Sequence, residues 1–406
     1  MLTFGVMTAL LASGYGVMFT VLDDYRDEYG IAEAWLGVIV GIGFLSGFLS
    51  QVFIAPFADR GHARRMVLAG MALCSAGLVV VAFSETIVPL LSGRFVMGLG
   101  VGMAVPAVRR IVINADPANL GRNVGLLLAA DVTGFASGPA LSAVLLRFGI
   151  PVPFLAIAGL IVLCLPLVLR VPVIEGARDV LDGREEPRLA LDLLHNRALV
   201  AALLMGSAVF LMIGTFDALW ALVLDDLDAS DLVSNLGITI FALPLIFLGS
   251  YGGMLAQRVG PFRLGPLGLA LGAGFMFLYG FMPTGALMLT VGIVHSISDG
   301  LTVTSTGVAV GMTAPRDRQA GAQGLLGAAE TLTAGITAVA AGALYTWGGR
   351  TLAYSVCSAL MLMLVATSYV LAGPAQRARR GVDGFDDELP VTPLAPTTGL
   401  HGTMPG

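Results

Sequence analysis

The feature that most constrains this chain is a succession of apolar runs, each about as long as a membrane is thick. A helix needs about 20 apolar residues to cross the hydrocarbon core. Backbone left unpaired there is so costly that only helices and closed barrels span it. Twelve runs are read, at about 2–22, 35–57, 66–84, 86–113, 122–147, 151–171, 197–223, 235–257, 263–282, 285–312, 321–347 and 351–372. Charged residues make up only 12% of the 406 positions, against about 25% in a soluble domain. The expected fold class is an all-α membrane protein with twelve transmembrane helices.

All 22 basic residues are arginine, and that excludes whole classes of chemistry. Without lysine there is no P-loop to hold a nucleotide's phosphates and no Schiff base to an aldehyde cofactor. Cys74, Cys164 and Cys357 fall inside apolar runs and read as packing residues. The sequence shows no metal cluster, no nucleophile with a base at a recognisable spacing and no nucleic-acid motif. No enzyme, cofactor or metal is expected.

Arginine placement predicts orientation, because loops on the cytoplasmic side are enriched in basic residues. Loops with Arg60, Arg64 and Arg65, with Arg109, Arg110 and Arg122, with Arg258 and Arg263, and with Arg316 and Arg318 alternate with arginine-poor ones. The poor set includes the acidic stretches Asp23-Asp24-Tyr25-Arg26-Asp27-Glu28 and Asp225-Asp226-Leu227-Asp228. Both termini are therefore expected in the cytoplasm of a cell-membrane protein. No charged leader precedes the first run, which is expected to stay as the first span.

The chain also repeats itself. Val21-Leu22-Asp23-Asp24 returns as Val223-Leu224-Asp225-Asp226, and Leu36-Gly37 returns as Leu236-Gly237. Ala55-Pro56-Phe57-Ala58-Asp59-Arg60 is answered by Gly253-Met254-Leu255-Ala256-Gln257-Arg258, and Ala130-Asp131 by Ala329-Glu330. Several matches in one order, all about 200 residues apart, mark a duplicated six-helix unit in parallel orientation. The expected division is an N-terminal half at 1–171, a cytoplasmic linker at 172–196, a C-terminal half at 197–372 and a disordered tail at 373–406. The linker ends in an amphipathic stretch, Leu189 to His195, that fits a membrane surface.

Three motifs carry a family resemblance. The loop Ala55-x3-Asp59-Arg60-Gly61-His62-Ala63-Arg64-Arg65 is similar to the Gly-x3-Asp-Arg-x-Gly-Arg-Arg motif of the major facilitator superfamily, with its glycines altered. The second copy keeps Gly253, Arg258 and Gly260 but has Gln257 in place of the acid. Arg94-x3-Gly98-x-Gly100 resembles that family's fourth-helix motif. Gly125-x8-Gly134-x3-Gly138-Pro139 resembles the fifth-helix signature of its proton-coupled drug antiporters, though Ser142 and Ala143 stand where the pattern has glycines. The resemblance implies a gating role for Asp59, Arg60, Arg64 and Arg65, with Gly253, Gln257 and Arg258 as their counterparts. For Arg94 it implies influence on a proton site; an ion pair or snorkelling to the outer face is the alternative.

Buried acids are the other candidates. Residues 131, 134, 138 and 142 share one helical face, so Asp131 is expected beside the glycine stripe and away from lipid. Asp131 and Glu330 each lie about nine residues from the cytoplasmic face, roughly 13 Å at ~1.5 Å per residue. Loss of hydration disfavours an ionised carboxyl at such depth. Each either carries a proton or closes a cytoplasmic gate, with Ser50, Gln51, Ser250 and Tyr251 at similar depth. His295 and Asp299, four apart, face the same way and can share a proton. Asp217 and Trp220 near the outer end of the seventh run, with Tyr15 as repeat counterpart, either line an outer vestibule or sit as a solvated acid and an interfacial aromatic.

The resemblance implies a monomeric transporter in the lipid bilayer that exports a small amphiphilic or drug-like compound in exchange for protons, by alternating access. A nutrient uptake symporter or facilitator keeps the same fold. A non-transporting membrane sensor is a third reading, disfavoured because an idle cavity has no need of costly charge.

Overall fold

The computed structural model describes residues 1–32, 35–173, 175 and 189–378. In chain order the helices are α1 Leu2–Tyr29, α2 Leu36–Phe53, α3 Ala63–Ala82, α4 Ile87–Ala115, α5 Leu120–Leu145, α6 Pro151–Arg170, α7 Arg197–Asp226, α8 Asp231–Val259, α9 Pro261–Tyr279, α10 Gly285–Thr302, α11 Ser305–Thr313 and α12 Gln319–Ala378. Among the described residues nine helical segments are long and apolar enough to cross a membrane, or ten with the bent α1 counted as one span. The pair α10 and α11 forms one span. The 60-residue α12 turns at Gly348 and Gly349 into two limbs, 319–347 and 350–372, and breaks again at Gly373 before a short last piece, 374–378. Gly349 takes φ +68 there, a backbone that glycine adopts without a Cβ penalty. With α8, the architecture is consistent with the twelve expected spans.

Local chemistry sets the ends of these helices. Asn196 Oδ1 accepts the N–H groups of Ala198 and Leu199 at the start of α7. Proline opens α6 and α9, where its missing donor costs nothing. Gly30, in the left-handed region, closes α1.

The acidic stretch at 23–28 is a correction. It was expected to be loop, but α1 continues through it to Tyr29. Tyr25 explains this: it is fully buried, and its hydroxyl donates to the Val81 carbonyl at 2.6 Å, so the last turns are pinned to α3. The tail, expected from 373, is corrected in part: the backbone does leave the helix at Gly373, but 374–378 then form a further helical piece. Positions 379–406 and most of the linker, 174 and 176–188, lie outside the described residues.

Two large apolar cores form, with a small third cluster of Ile113, Leu120, Val124, Ala256 and Val308 between the halves. Of the large ones, one is built from α1 to α6 with Ala320, the other from residues of α7 to α12 with Ala190. Helices approach closely where glycine removes the side chain. On α4, Gly98 and Gly102 face α2, where an added Cβ would run into the carbonyls of Gly43 and Gly47; Gly100 faces Gly70 of α3. On α5, Gly134 lies against Ala9, and Gly138 against Ser13 and Gly16, of α1. The fifth-helix signature is thus a packing surface on both flanks, since Gly121 and Gly125 meet α8.

A Cβ at Gly138 would stand 2.8 Å from the Gly16 Cα, the Ser13 oxygen and the Val17 nitrogen. Gly138→Ala is expected to cost about 1–3 kcal/mol by overpacking. Gly335→Ala, where a Cβ meets nothing within 4 Å, is expected to be neutral or to gain up to about 1 kcal/mol of helix propensity. Thermal unfolding midpoints in detergent check the pair.

Candidate functional site

The loop after α2 folds as a 3-10 turn, Ala55–Arg60, started by Pro56 and ended by Gly61 at φ 77. That geometry carries Asp59 to the start of α12. Its carboxylate accepts the N–H groups of Ala320 at 2.9 Å and Gly321 at 2.7 Å, and the Arg110 Nε–H at 3.0 Å. A helix start has N–H groups without partners and a positive dipole end, so a carboxylate fits it twice over. The second copy of the motif does the same work without charge. Gln257 Oε1 accepts the Gly121 N–H at 2.8 Å at the start of α5, while its Nε2 donates to the Ala118 carbonyl at 3.0 Å. Each half therefore caps a helix of the other.

Between the caps the backbones touch. An added Cβ on Gly121 or Gly125 would run into the carbonyls of Gly253 and Gly249, and one on Gly324 would meet the Gln51 carbonyl at 2.5 Å. Asn114 Nδ2 also donates across to the Arg316 carbonyl at 2.9 Å. The arginine-rich end is sealed by α5 against α8 and by α2 and its 3-10 turn against the first limb of α12. Among the motif arginines, Arg64 donates to the Val171 carbonyl at 2.5 Å, Arg60 lies over the Phe57 ring, and Arg65 and Arg258 are exposed.

Arg109 and Arg110 were read as loop arginines; the structure corrects this. Both belong to α4, which runs to Ala115. Arg110 is 1% exposed and held by Asp59. Arg109 Nη1 donates across the seam to Gln323 Oε1 at 3.4 Å. Both lie within the apolar run read at 86–113, a signal that they point inward.

Behind this seal stand Asp131 and Glu330. Asp131 is exposed on α5, whereas Glu330 is 8% exposed and lies against Gly206 of α7.

The remaining candidates form separate groups. His295 Nε2 lies 3.4 Å from Asp299 Oδ2 without hydrogen-bond alignment, and its Nδ1 shares a 2.9 Å hydrogen bond with the Tyr279 hydroxyl. Phe275 stacks on the imidazole, and Phe241 meets it edge-on. Tyr279 was not anticipated; its distance in sequence hides the contact. Arg94 is fully buried and does not snorkel. Its Nε donates to the Ile39 carbonyl at 3.3 Å and its guanidinium lies 4.8 Å from the Tyr15 ring centre; among the described residues no carboxylate pairs with it. Tyr15 thus joins Arg94 and donates to the Gly43 carbonyl. Asp217 is exposed, but Trp220, at 2% exposure, is no interfacial aromatic: it stacks with Phe216 and meets Tyr279 edge-on in the core.

The linker's end is a 3-10 turn, Ala190–His195, docked on α7 and α12. Asp192 accepts two hydrogen bonds from Arg318, at 2.7 and 3.1 Å. Partial burial opposes ionisation of Asp192, yet the Arg318 hydrogen bonds and charge outweigh it and hold the carboxyl below its usual range.

Comparison with known proteins agrees with this architecture. The Major Facilitator Superfamily profile matches residues 4–225 and 203–397. The quinolone resistance protein NorA of Staphylococcus aureus is 22% identical over 218 residues, 52% of this chain and 55% of that protein. The uncharacterized MFS-type transporter YuxJ of Bacillus subtilis is 25% identical over 260 residues, 61% of this chain and 65% of that one. The chain thus spans about half the length of the first of these relatives. Among solved structures, the transporter FucP in its outward conformation superposes with a TM-score of 0.73 at 15% identity, covering 93% of this chain and 98% of its own. The proton:xylose symporter XylE gives 0.72 at 14% identity, covering 90% and 93%. The human organic anion transporter MFSD10 gives 0.67 at 19% identity, covering 90% and 97%. At these identities the likeness is one of fold.

Two outcomes follow from the seal. Asp59→Ala strands the buried Arg110 and is expected to cost about 3–5 kcal/mol, part of which Asp59→Ala with Arg110→Met recovers; denaturant titration in detergent measures both. A carboxyl depressed in the folded state stabilises above its unfolded pKa and loses that contribution as pH falls through the folded value. Asp192→Asn is therefore expected to cost about 0.2–1 kcal/mol at neutral pH, with the difference from wild type shrinking below about pH 4 in thermal unfolding.

Proposed function

The chain belongs to the Major Facilitator Superfamily, whose members are transporters and not enzymes, and we propose that it exports a small amphiphilic or drug-like molecule in exchange for protons. The observation that carries this reading is the trio behind the seal. Two carboxylates, Asp131 on α5 and Glu330 on the first limb of α12, come from opposite halves, and Arg109 of α4 donates across the same seam to Gln323 of that limb. A group that gains or loses a proton at such a seam changes the balance between its two states, and that is the requirement for coupling. Asp131, Glu330, His295, Asp299 and Arg94 are the candidate proton-coupling groups, and Asp59, Arg110 and Gln257 hold the gate.

On this reading the arginine-rich end faces the cytoplasm of a cell-membrane protein that works as a monomer. Protons enter from the far side, reach Asp131, and leave inward once the seal opens. Similarity to a quinolone resistance protein supports export, and Tyr15, Asp217 and Trp220 are candidates for the substrate path.

Reconstitution in proteoliposomes with an imposed pH gradient and a compound panel tests the proposal. Flux should follow the gradient, with substrate moving against the protons; Asp131→Asn and Glu330→Gln should remove that dependence. Flux in the same direction as the protons identifies uptake instead. Indifference to the gradient, with both variants silent, sinks proton coupling.

A further inference from the structure

Tyr279, His295 and Asp299 form a chain of contacts inside the second half. The tyrosine comes from α9 and the other two from α10. All three are buried, at 2%, 1% and 2% exposure, so a hydrogen left without an acceptor among them is costly. The rest of the imidazole's surroundings is apolar. Phe275 of α9 and Phe241 of α8 lie against the ring, and Met212 of α7 and Met361 of α12 converge with Nε2 on Gly272. Among the described residues Asp299 is the one charged group in contact with it.

A neutral imidazole has one N–H and one bare nitrogen, and a tyrosine hydroxyl has one hydrogen. Two assignments are open. In the first, the Tyr279 hydroxyl donates to Nδ1, and the ring hydrogen sits on Nε2, toward Asp299. In the second, Nδ1–H donates to the Tyr279 oxygen and a bare Nε2 faces the carboxyl. Among the described residues the Tyr279 hydroxyl makes no hydrogen bond besides the 2.9 Å contact with Nδ1. The second assignment therefore strands a buried O–H, and a doubly protonated ring strands the same one. Trp220, edge-on to the Tyr279 ring, has only a donor to offer. At the other nitrogen, Asp299 Oδ2 stands 3.4 Å from Nε2, too far for a carboxylic O–H to donate to a bare nitrogen. An ionised carboxylate there would meet a bare nitrogen lone pair to lone pair.

We propose that Tyr279 is a positioning residue that fixes the hydrogen of His295 on Nε2, so that the imidazole serves Asp299 as a neutral donor. The ring's one bare nitrogen is already engaged by the hydroxyl, and the open lone pairs of the pair are those of the carboxylate. A proton arriving there finds Asp299, with His295 as its support. The first half uses its tyrosine differently. Arg94 rests on the Tyr15 ring, while the Tyr15 hydroxyl turns away to the Gly43 carbonyl. A ring face suits a permanent cation; a hydroxyl aimed at a ring nitrogen suits a neutral base. As a part of proton coupling this rests on the transport reading above, while the tautomer itself needs no substrate.

Nitrogen-15 NMR of the full chain with labelled histidine, in detergent without substrate or gradient, reads the tautomer. His295→Gln identifies the signals among the four histidines. At about pH 8, above the ordinary histidine range, the hydrogen of wild-type His295 should sit on Nε2. The excess over the other tautomer should be about tenfold or more, as a stranded buried hydroxyl implies. Tyr279→Phe keeps the ring and should move the Nδ1 signal to that of an unbonded nitrogen. Asp299→Asn should leave the hydrogen on Nε2, because the hydroxyl still sets it; adding Tyr279→Phe should give both tautomers. The proposal is overturned by an Nδ1–H or doubly protonated wild type, or by an unmoved Nδ1 signal in Tyr279→Phe. It is equally overturned by a tautomer lost with Asp299→Asn alone, or kept in the double variant. Should those variants fail to fold, the wild-type spectrum decides. Gradient-blind flux with the Nε2–H tautomer present would sink the transport reading alone. Gradient-driven flux with the hydrogen on Nδ1 would sink the Tyr279 proposal alone.

Discussion

A helix start buried at an interface carries N–H groups that must find partners, and water is the partner that burial removes. Here the missing acceptors come from the opposite half. Asp59 of the first half serves the start of α12, and Gln257 of the second serves the start of α5. The closed state depends on this exchange, because neither half can satisfy those helix starts alone. Glycine at 121, 125, 249 and 253 then brings the backbones near enough for the caps to reach. The carboxylates behind the seal are held at a seam only because the seam is closed there.

The same economy of side chain runs through the fold. With no large hydrophobic gain from helix association inside lipid, close backbone packing supplies the attraction. The alternating glycines of α4 show the logic, two facing α2 and the one between them facing α3. Those of α5 divide lengthwise, one end gripping α8 and the other gripping α1. A motif that looks like one signature in the sequence is thus two surfaces.

Much of this was readable from the sequence because bilayer thickness imposes a length on every span, and duplication writes each element twice. The family's loop motif singled out Asp59, and the contact it makes is with the start of a helix in the other half. The rest depends on contacts between residues far apart in the chain. Arg109 and Arg110 were assigned to a loop because basic residues ordinarily mark one, and the pairing with Asp59 and Gln323 shows that they point inward. Tyr25 extends α1 through an acidic stretch for a reason that lies on α3. An interfacial aromatic was one of two readings of Trp220, because sequence depth resembles membrane depth, whereas its neighbours Phe216 and Tyr279 place it in the core.

The two caps differ in one respect that the duplication did not preserve. Asp59 holds its helix with a charge and leans on a second charge, Arg110. Gln257 holds its own with a neutral amide. Acid can therefore loosen the charged cap at one edge of the seam and has no purchase on the neutral cap at the other.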